Sequence, residues 1–137
     1  MRSNRPILLI EDDEVDAMTV RRALKEINVS NEVVHSENGE EALEYLKSSG
    51  KRPSIILLDL NMPIMSGLEF LEERMKNDEW RSIPAVVLTT SKDDFDKANS
   101  FKLAVSGYMV KPVDYSEFID IIKKIDAYWT VSESLDL

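Results

Sequence analysis

The chain has no cysteine among its 137 residues. Disulfides, thiolate nucleophiles and sulfur-ligated metal centres are therefore excluded. It has one histidine, His35, so soft ligands for zinc or copper are scarce. His35 falls on the least apolar strand-like run and reads as a surface or edge residue. No apolar stretch approaches the roughly 20 residues that a membrane-spanning helix needs. The segment Met1-Arg2-Ser3-Asn4-Arg5-Pro6 leads straight into a strand-like run without a signal-peptide cleavage pattern. A cytoplasmic protein with no membrane partner is expected. Cationic surface is short too: a net charge of -9 disfavours non-specific nucleic-acid binding, which rests on cationic contacts to phosphate. There is neither a G-x-G-x-x-G nor a Walker loop, so a nucleotide-binding module is disfavoured. No repeat, low-complexity tract or internal linker interrupts the chain, and its length suits one domain with its own core.

What is present is a set of short, continuous apolar runs. Ile55-Ile56-Leu57-Leu58 ends abruptly on Asp59. A run that short and unbroken reads as a strand buried on both faces, as in a parallel sheet. Ile7 to Ile10, Glu32 to Ser36, Ala85 to Leu88 and Tyr108 to Val110 read as four more strands, the second of them an edge strand. Between them lie helical patterns. Val15, Met18, Val20, Ala23, Leu24 and Ile27 mark the first; Ala42, Leu43 and Leu46 the second; Leu68, Leu71 and Met75 the third. The fourth helix, Asp93 to Leu103, has a thin apolar face of Phe95, Ala98, Phe101 and Leu103. Asp114 or Ser116 caps the closing helix, which carries Phe118, Ile121, Ile122 and Ile125. Ser48 to Ser54 and Asn77 to Ile83 read as loops. A fivefold βα alternation predicts a parallel sheet with helices on both faces and right-handed crossovers.

The strand ends carry the chemistry. Strand one ends on Glu11, Asp12 and Asp13, strand three on Asp59, strand four on Thr89 and strand five on Lys111. In a parallel sheet these lie along one edge, where ligands bind in open α/β folds. Each has a plain alternative: Asp59 as a turn or cap, the acidic triplet as a helix N-terminal cluster, Lys111 as a solvated surface residue. Taken together they point elsewhere. Converging carboxylates repel, and a hard divalent cation with oxygen ligands, Mg²⁺ above all, resolves the repulsion. A carboxylate beside Mg²⁺, a lysine and a hydroxyl is a set suited to phosphoryl transfer. Asp59 is then the nucleophile that forms an acyl phosphate, with Lys111 and Thr89 stabilising the transferred group.

The chain resembles the receiver domain of two-component response regulators. The matching stretches are LLIEDD, NGEEALEYL, IILLDLNMPIMSGLEFL, IPAVVLTTS and GYMVKPVD, in family order from about Pro6 to Lys124. The resemblance implies a flavodoxin-like (βα)5 three-layer sandwich with five parallel strands in order 2-1-3-4-5. It implies that a sensor histidine kinase phosphorylates Asp59 and that Mg²⁺ is held by Glu11, Asp12, Asp59 and the backbone carbonyl of Asn61. Thr89 is the switch hydroxyl, Tyr108 the aromatic that follows it, and Lys111 the phosphate-binding lysine. The Lys111-Pro112 peptide is expected to be cis. The implied output is a changed face of helix four, strand five and helix five, read by a downstream protein. The chain would be a switch that assists its own phosphorylation and dephosphorylation, not an enzyme acting on other molecules. Ala104 departs from the pattern, standing where the family often has glycine. The chain also looks like the single-domain regulators that partner phytochrome kinases. By that likeness residues 1–127 are the receiver, residues 128–137 extend the last helix into a tail with no output domain, and a homodimer forms through the helix-four to helix-five face and Tyr128-Trp129. Two other readings compete with this one. A haloacid-dehalogenase-like phosphatase is disfavoured because Asn61 occupies the position of that family's general acid and cannot protonate a leaving group. A scaffold that no longer takes phosphate is disfavoured because the required residues are all present.

Overall fold

A computed structural model describes residues 4–131. The chain alternates β1 (Ile7–Ile10), α1 (Glu14–Glu26), β2 (Val33–Ser36), α2 (Gly39–Ser48), β3 (Ile55–Leu58) and α3 (Gly67–Met75). β4 (Ala85–Thr89), α4 (Asp94–Lys102), β5 (Gly107–Val110) and α5 (Tyr115–Val131) follow. The strands form one parallel sheet in the order β2-β1-β3-β4-β5. The flavodoxin-like architecture expected from the sequence is the one found. Residues 132–137 of the expected tail lie outside the described residues.

The continuous apolar runs form the three central strands, and every residue of β1, β3 and β4 is buried. The edge strands β2 and β5 are mostly half-buried. Alternation along each strand sorts side chains onto two faces. Ile7, Leu9, Ile55, Leu57, Val86 and Leu88 pack with Ala17, Val20, Ala23 and Leu24 of α1 and with Phe118, Ile122 and Ile125 of α5. Leu8, Ile10, Ile56, Leu58, Ala85 and Val87 pack with Ala42 and Leu43 of α2 and Phe70 and Leu71 of α3. Three layers result.

Side-chain caps start the helices. Asp13, Asn38, Ser66 and Asp93 each accept a backbone N–H of the first turn, and Ser66 forms a full capping box with Glu69. Of the two candidates for α5, Asp114 takes the role: its Oδ1 accepts from the N–H of Ser116 at 2.8 Å. Gly67 brings α3 against the end of β3. A Cβ there would lie 2.3 Å from the Asp59 carbonyl oxygen, so only glycine fits.

Several sequence expectations need correction. Val15 and Met18 are 71% and 67% exposed; Ala17 takes the core face of α1 instead. The expected loop after α3 contains a single helical turn, Asp78–Arg81, capped by Asn77. Of the face of α4 read as apolar, Phe95 and Phe101 point outward, 72% and 52% exposed, whereas Leu103 at the C-cap packs partly onto the core and Ser100 is the buried residue of the helix. The Lys111-Pro112 peptide is trans, as is every peptide among the described residues. The trans form is favoured by about 0.5–1 kcal/mol before proline. Lys111 needs no cis bond to enter the site, because its N–H continues the ladder to the Thr89 carbonyl at 2.8 Å.

The helices differ in how firmly they are held. Phe118, Ile122 and Ile125 anchor α5, each contributing about 1.5–3 kcal/mol of burial. α4 has no buried apolar side chain and depends on polar bonds worth about 1 kcal/mol apiece. One of these comes from Arg74, a buried arginine on α3 that the sequence pattern did not single out. Its guanidinium donates to the carbonyls of Leu103, Arg81 and Ile83, and burial lowers its pKa to about 10. It ties the C-terminal end of α4 to α3.

Directly beyond that tie, Ala104 adopts φ 62°. An alanine there pays a steric penalty that glycine avoids. Ala104→Gly is expected to raise stability by about 0.5–1 kcal/mol, measured by urea unfolding. Unchanged or lower stability would show that the turn carries no strain.

Candidate functional site

The parallel register brings the ends of β1, β3, β4 and β5 to one edge. Ile10 pairs with Leu58, so the next residues, Glu11 and Asp59, leave the sheet side by side. The Asp59 N–H bonds the Ile10 carbonyl at 3.0 Å, and the Glu11 N–H bonds the Ser36 carbonyl at 3.0 Å. Asp59 Oδ1 accepts from the N–H of Leu60 at 2.8 Å, which fixes its rotamer. Carboxylate oxygens of Glu11, Asp12 and Asp59 lie within 4.8 Å of one another. Glu11 is 2% exposed, whereas Asp12 faces solvent. Three oxygen donors so close suit a hard divalent cation. Asp13, the third acid of the run, caps α1 and is not in this group. Asn61 lies two residues past Asp59 on an exposed loop.

Lys111 enters from β5. Its Nζ donates to Glu11 Oε1 at 2.5 Å and to Asp16 Oδ2 at 3.1 Å. The lysine and glutamate side chains are 10% and 3% exposed. Burial raises the Glu11 pKa to about 7, with the charge of Asp59 adding to it and Lys111 opposing. Burial acts to lower the Lys111 pKa, but its bond to Glu11 and the charges of Glu11, Asp59 and Asp16 outweigh that and hold it above the usual range. The ammonium stays charged while the glutamate is poised to change.

Thr89, fully buried at the end of β4, accepts the N–H of Ser91 on its Oγ1 at 3.3 Å. The Tyr108 hydroxyl donates to the Ser91 carbonyl at 3.0 Å. Ser91 also donates its hydroxyl to Asp96 of α4 at 2.8 Å. Burial, then the charges of Asp96, Asp93 and Asp59, raises the Tyr108 pKa, so the phenol keeps its proton. Ser91 thus joins Thr89, Tyr108 and α4, a role that its place in a polar Thr-Thr-Ser run did not announce. His35, expected at an edge, sits on edge strand β2. Its Nε2 lies 2.6 Å from the Glu11 carbonyl, so that nitrogen is the protonated one.

The sequence profile described as the response regulator receiver domain matches residues 7–123. The chain belongs to the response regulator receiver family. It is 34% identical to the response regulator Rcp1 of Synechocystis, over 97% of this chain and 95% of that protein. The crystal structure of the phosphorylated cyanobacterial phytochrome response regulator RcpA is 34% identical, superposes with a TM-score of 0.90, and covers 98% of this chain and 100% of that one. A Mn²⁺-bound form of Rcp1 is 33% identical with a TM-score of 0.86, covering 97% and 99%. The chain is accordingly a receiver of the two-component signalling class, similar to regulators paired with phytochromes. Among its described residues no helix is long and apolar enough to cross a membrane.

The raised Glu11 pKa has a consequence for stability. An acid near 7 in the folded chain and near 4.5 unfolded binds an extra proton when folded. Its contribution is full below about pH 4.5 and declines as pH rises to about 7. In EDTA, the stability of the native chain minus that of Glu11→Gln should therefore fall between pH 5 and 7, then level off. Urea unfolding at four pH values measures it; a difference independent of pH would show that Glu11 is not held protonated.

Proposed function

We propose that this chain is a phosphoacceptor switch in which a sensor histidine kinase phosphorylates Asp59 in a Mg²⁺-dependent reaction. The observation that supports it most is the convergence of Glu11, Asp12 and Asp59 within 4.8 Å, with the buried Lys111 ammonium bonded to one member of the group. An Asp59 carboxylate oxygen attacks the phosphorus of the kinase's phosphohistidine. The P–O bond forms as the P–N bond breaks, and the imidazole nitrogen leaves with the electron pair. Glu11, Asp12, Asp59 and the Asn61 carbonyl would hold Mg²⁺, which neutralises charge on the transferred group. Lys111 donates to one phosphoryl oxygen and the Thr89 hydroxyl to another. The same residues assist the hydrolysis that returns the site to rest.

The new group adds roughly −1.5 to −2 charges. In turning toward it, Thr89 gives up its bond to the Ser91 N–H. Ser91 also holds Tyr108 and Asp96, so the change reaches β5 and α4 through one residue. The face of α4, β5 and α5 is then read by a downstream protein. The kinase is of the phytochrome type on this reading, supported by the likeness to RcpA, and the setting is cytoplasmic.

The same face is proposed to pair with a second copy of this chain. Phe95 and Phe101 of α4 and Tyr128 of α5 are exposed, while Trp129 packs partly onto the α1–α5 core. The receiver unit would span residues 1–127 and the extension 128–137 would add to the contact.

Intact-mass spectrometry after incubation with acetyl phosphate and Mg²⁺ tests the switch. One phosphoryl group should be gained by the native chain, only with Mg²⁺, and none by Asp59→Ala. No gain in the native chain would remove the reading. Sedimentation over a concentration series tests the pairing, and a monomer well above micromolar would refute it.

A further inference from the structure

Asp16 is the one acid of the α1 first turn that reaches into the site. It sits at the third helical position after the Asp13 cap, and its N–H bonds Asp13 Oδ1 at 3.0 Å. An acid at that position commonly returns its carboxylate to the N–H of the capping residue. Here the Asp13 N–H is taken by Glu11 Oε2 at 3.3 Å. The Asp16 carboxylate is released from capping and turns to Lys111 at 3.1 Å. Lys111 thus has two carboxylate partners of different kinds. Glu11 is almost fully buried and belongs to the acidic group, whereas Asp16 is 44% exposed and stands outside it.

We infer that Asp16 is a positioning residue that competes with the phosphoryl group for the Lys111 ammonium. This rests on the phosphoacceptor role of Asp59 proposed above. When Glu11 is shared with a cation, its hold on Lys111 weakens and Asp16 is the partner that remains. An ammonium has three donors on a flexible stem. To neutralise a group on Asp59 it must swing from α1 toward β3 and give up some or all of its bond to Asp16. Asp16 therefore sets how readily the site accepts a phosphoryl group, without touching that group itself.

The test is a beryllofluoride titration of the full chain at fixed Mg²⁺, followed by NMR, this anion standing in for the phosphoryl group. Asp16→Asn keeps the size of the side chain and removes the competing charge. Half-saturation should come at about three- to fivefold lower beryllofluoride, the upper end of the scale of a partly exposed ion pair. Asp16→Glu, which can still hold the ammonium, should stay within about twofold of the native chain. Glu14→Gln removes the same charge from the same helical turn and should also stay within about twofold, because a diffuse field from an exposed acid is screened. An unchanged or weaker affinity in Asp16→Asn overturns the inference, as does an equal gain in Glu14→Gln or in Asp16→Glu. Failure of the native chain to take up beryllofluoride overturns instead the phosphoacceptor reading on which it rests.

Discussion

The buried bond between Lys111 and Glu11 is the constraint on which the site depends. The strand order places β3 and β4 between β1 and β5, so the backbones of the outer two are about 14 Å apart at ordinary strand spacing. The Lys111–Glu11 bond spans the ends of the strands between them. Asp59 and Thr89 stand at the ends of those two strands. Burying two charges is costly unless they are paired well. Here the pairing is close, and Asp16 engages a second lysine proton. Removing Lys111 would leave Glu11 without its cationic partner, and removing Glu11 would leave Lys111 with only the half-exposed Asp16. A ligand that recruits one of them must therefore offer compensating charge, which a cation does for Glu11 and an anion does for Lys111.

The fold was legible because its determinants are local and redundant. Four consecutive apolar residues in β1 and β3 admit little but a strand buried on both faces. Their end residues follow from chain order once the strands are parallel. The candidate residues at the sheet edge stood out for the same reason: Glu11, Asp59 and Lys111 stand one position past a strand, and Thr89 is the last residue of β4. What escaped was decided by partners far away in sequence. Val15 and Met18 fit the helical period of α1, yet the direction in which that helix presents its core face is set by the sheet beneath it. Arg74 reads as a surface arginine until the carbonyls of Arg81, Ile83 and Leu103 are brought around it. Nothing in the sequence distinguishes Asp16 from Glu14 as an acid of the first turn. Only the Lys111 side chain, 95 residues on, separates them.

On the proposed switch, the weakly attached α4 is what the network around Asp59 would move. A helix anchored by several buried apolar side chains would need several kcal/mol to shift, more than one added charge at a neighbouring loop supplies. α4 is held at two points of different character. Its C-terminal end is tied by the Arg74 bond to Leu103, remote from the strand ends. Its N-terminal end is tied through Asp96 to Ser91, the residue bonded to both Thr89 and Tyr108. On the proposed switch, a change at Thr89 would act on the second tie and leave the first in place, which would favour a pivot of α4 about its C-terminal end over a translation. The energy at stake is that of one or two polar bonds, about 1 kcal/mol each. Two arrangements separated by so little can be exchanged in population by a single charged group, whose interaction needs only to differ between them by a comparable amount. The outward-facing Phe95 and Phe101 ride on that helix. Such a surface could change its presentation at little cost in core packing, because Phe95 and Phe101 do not belong to the core and only Leu103, at the tied C-terminal end, packs partly against it.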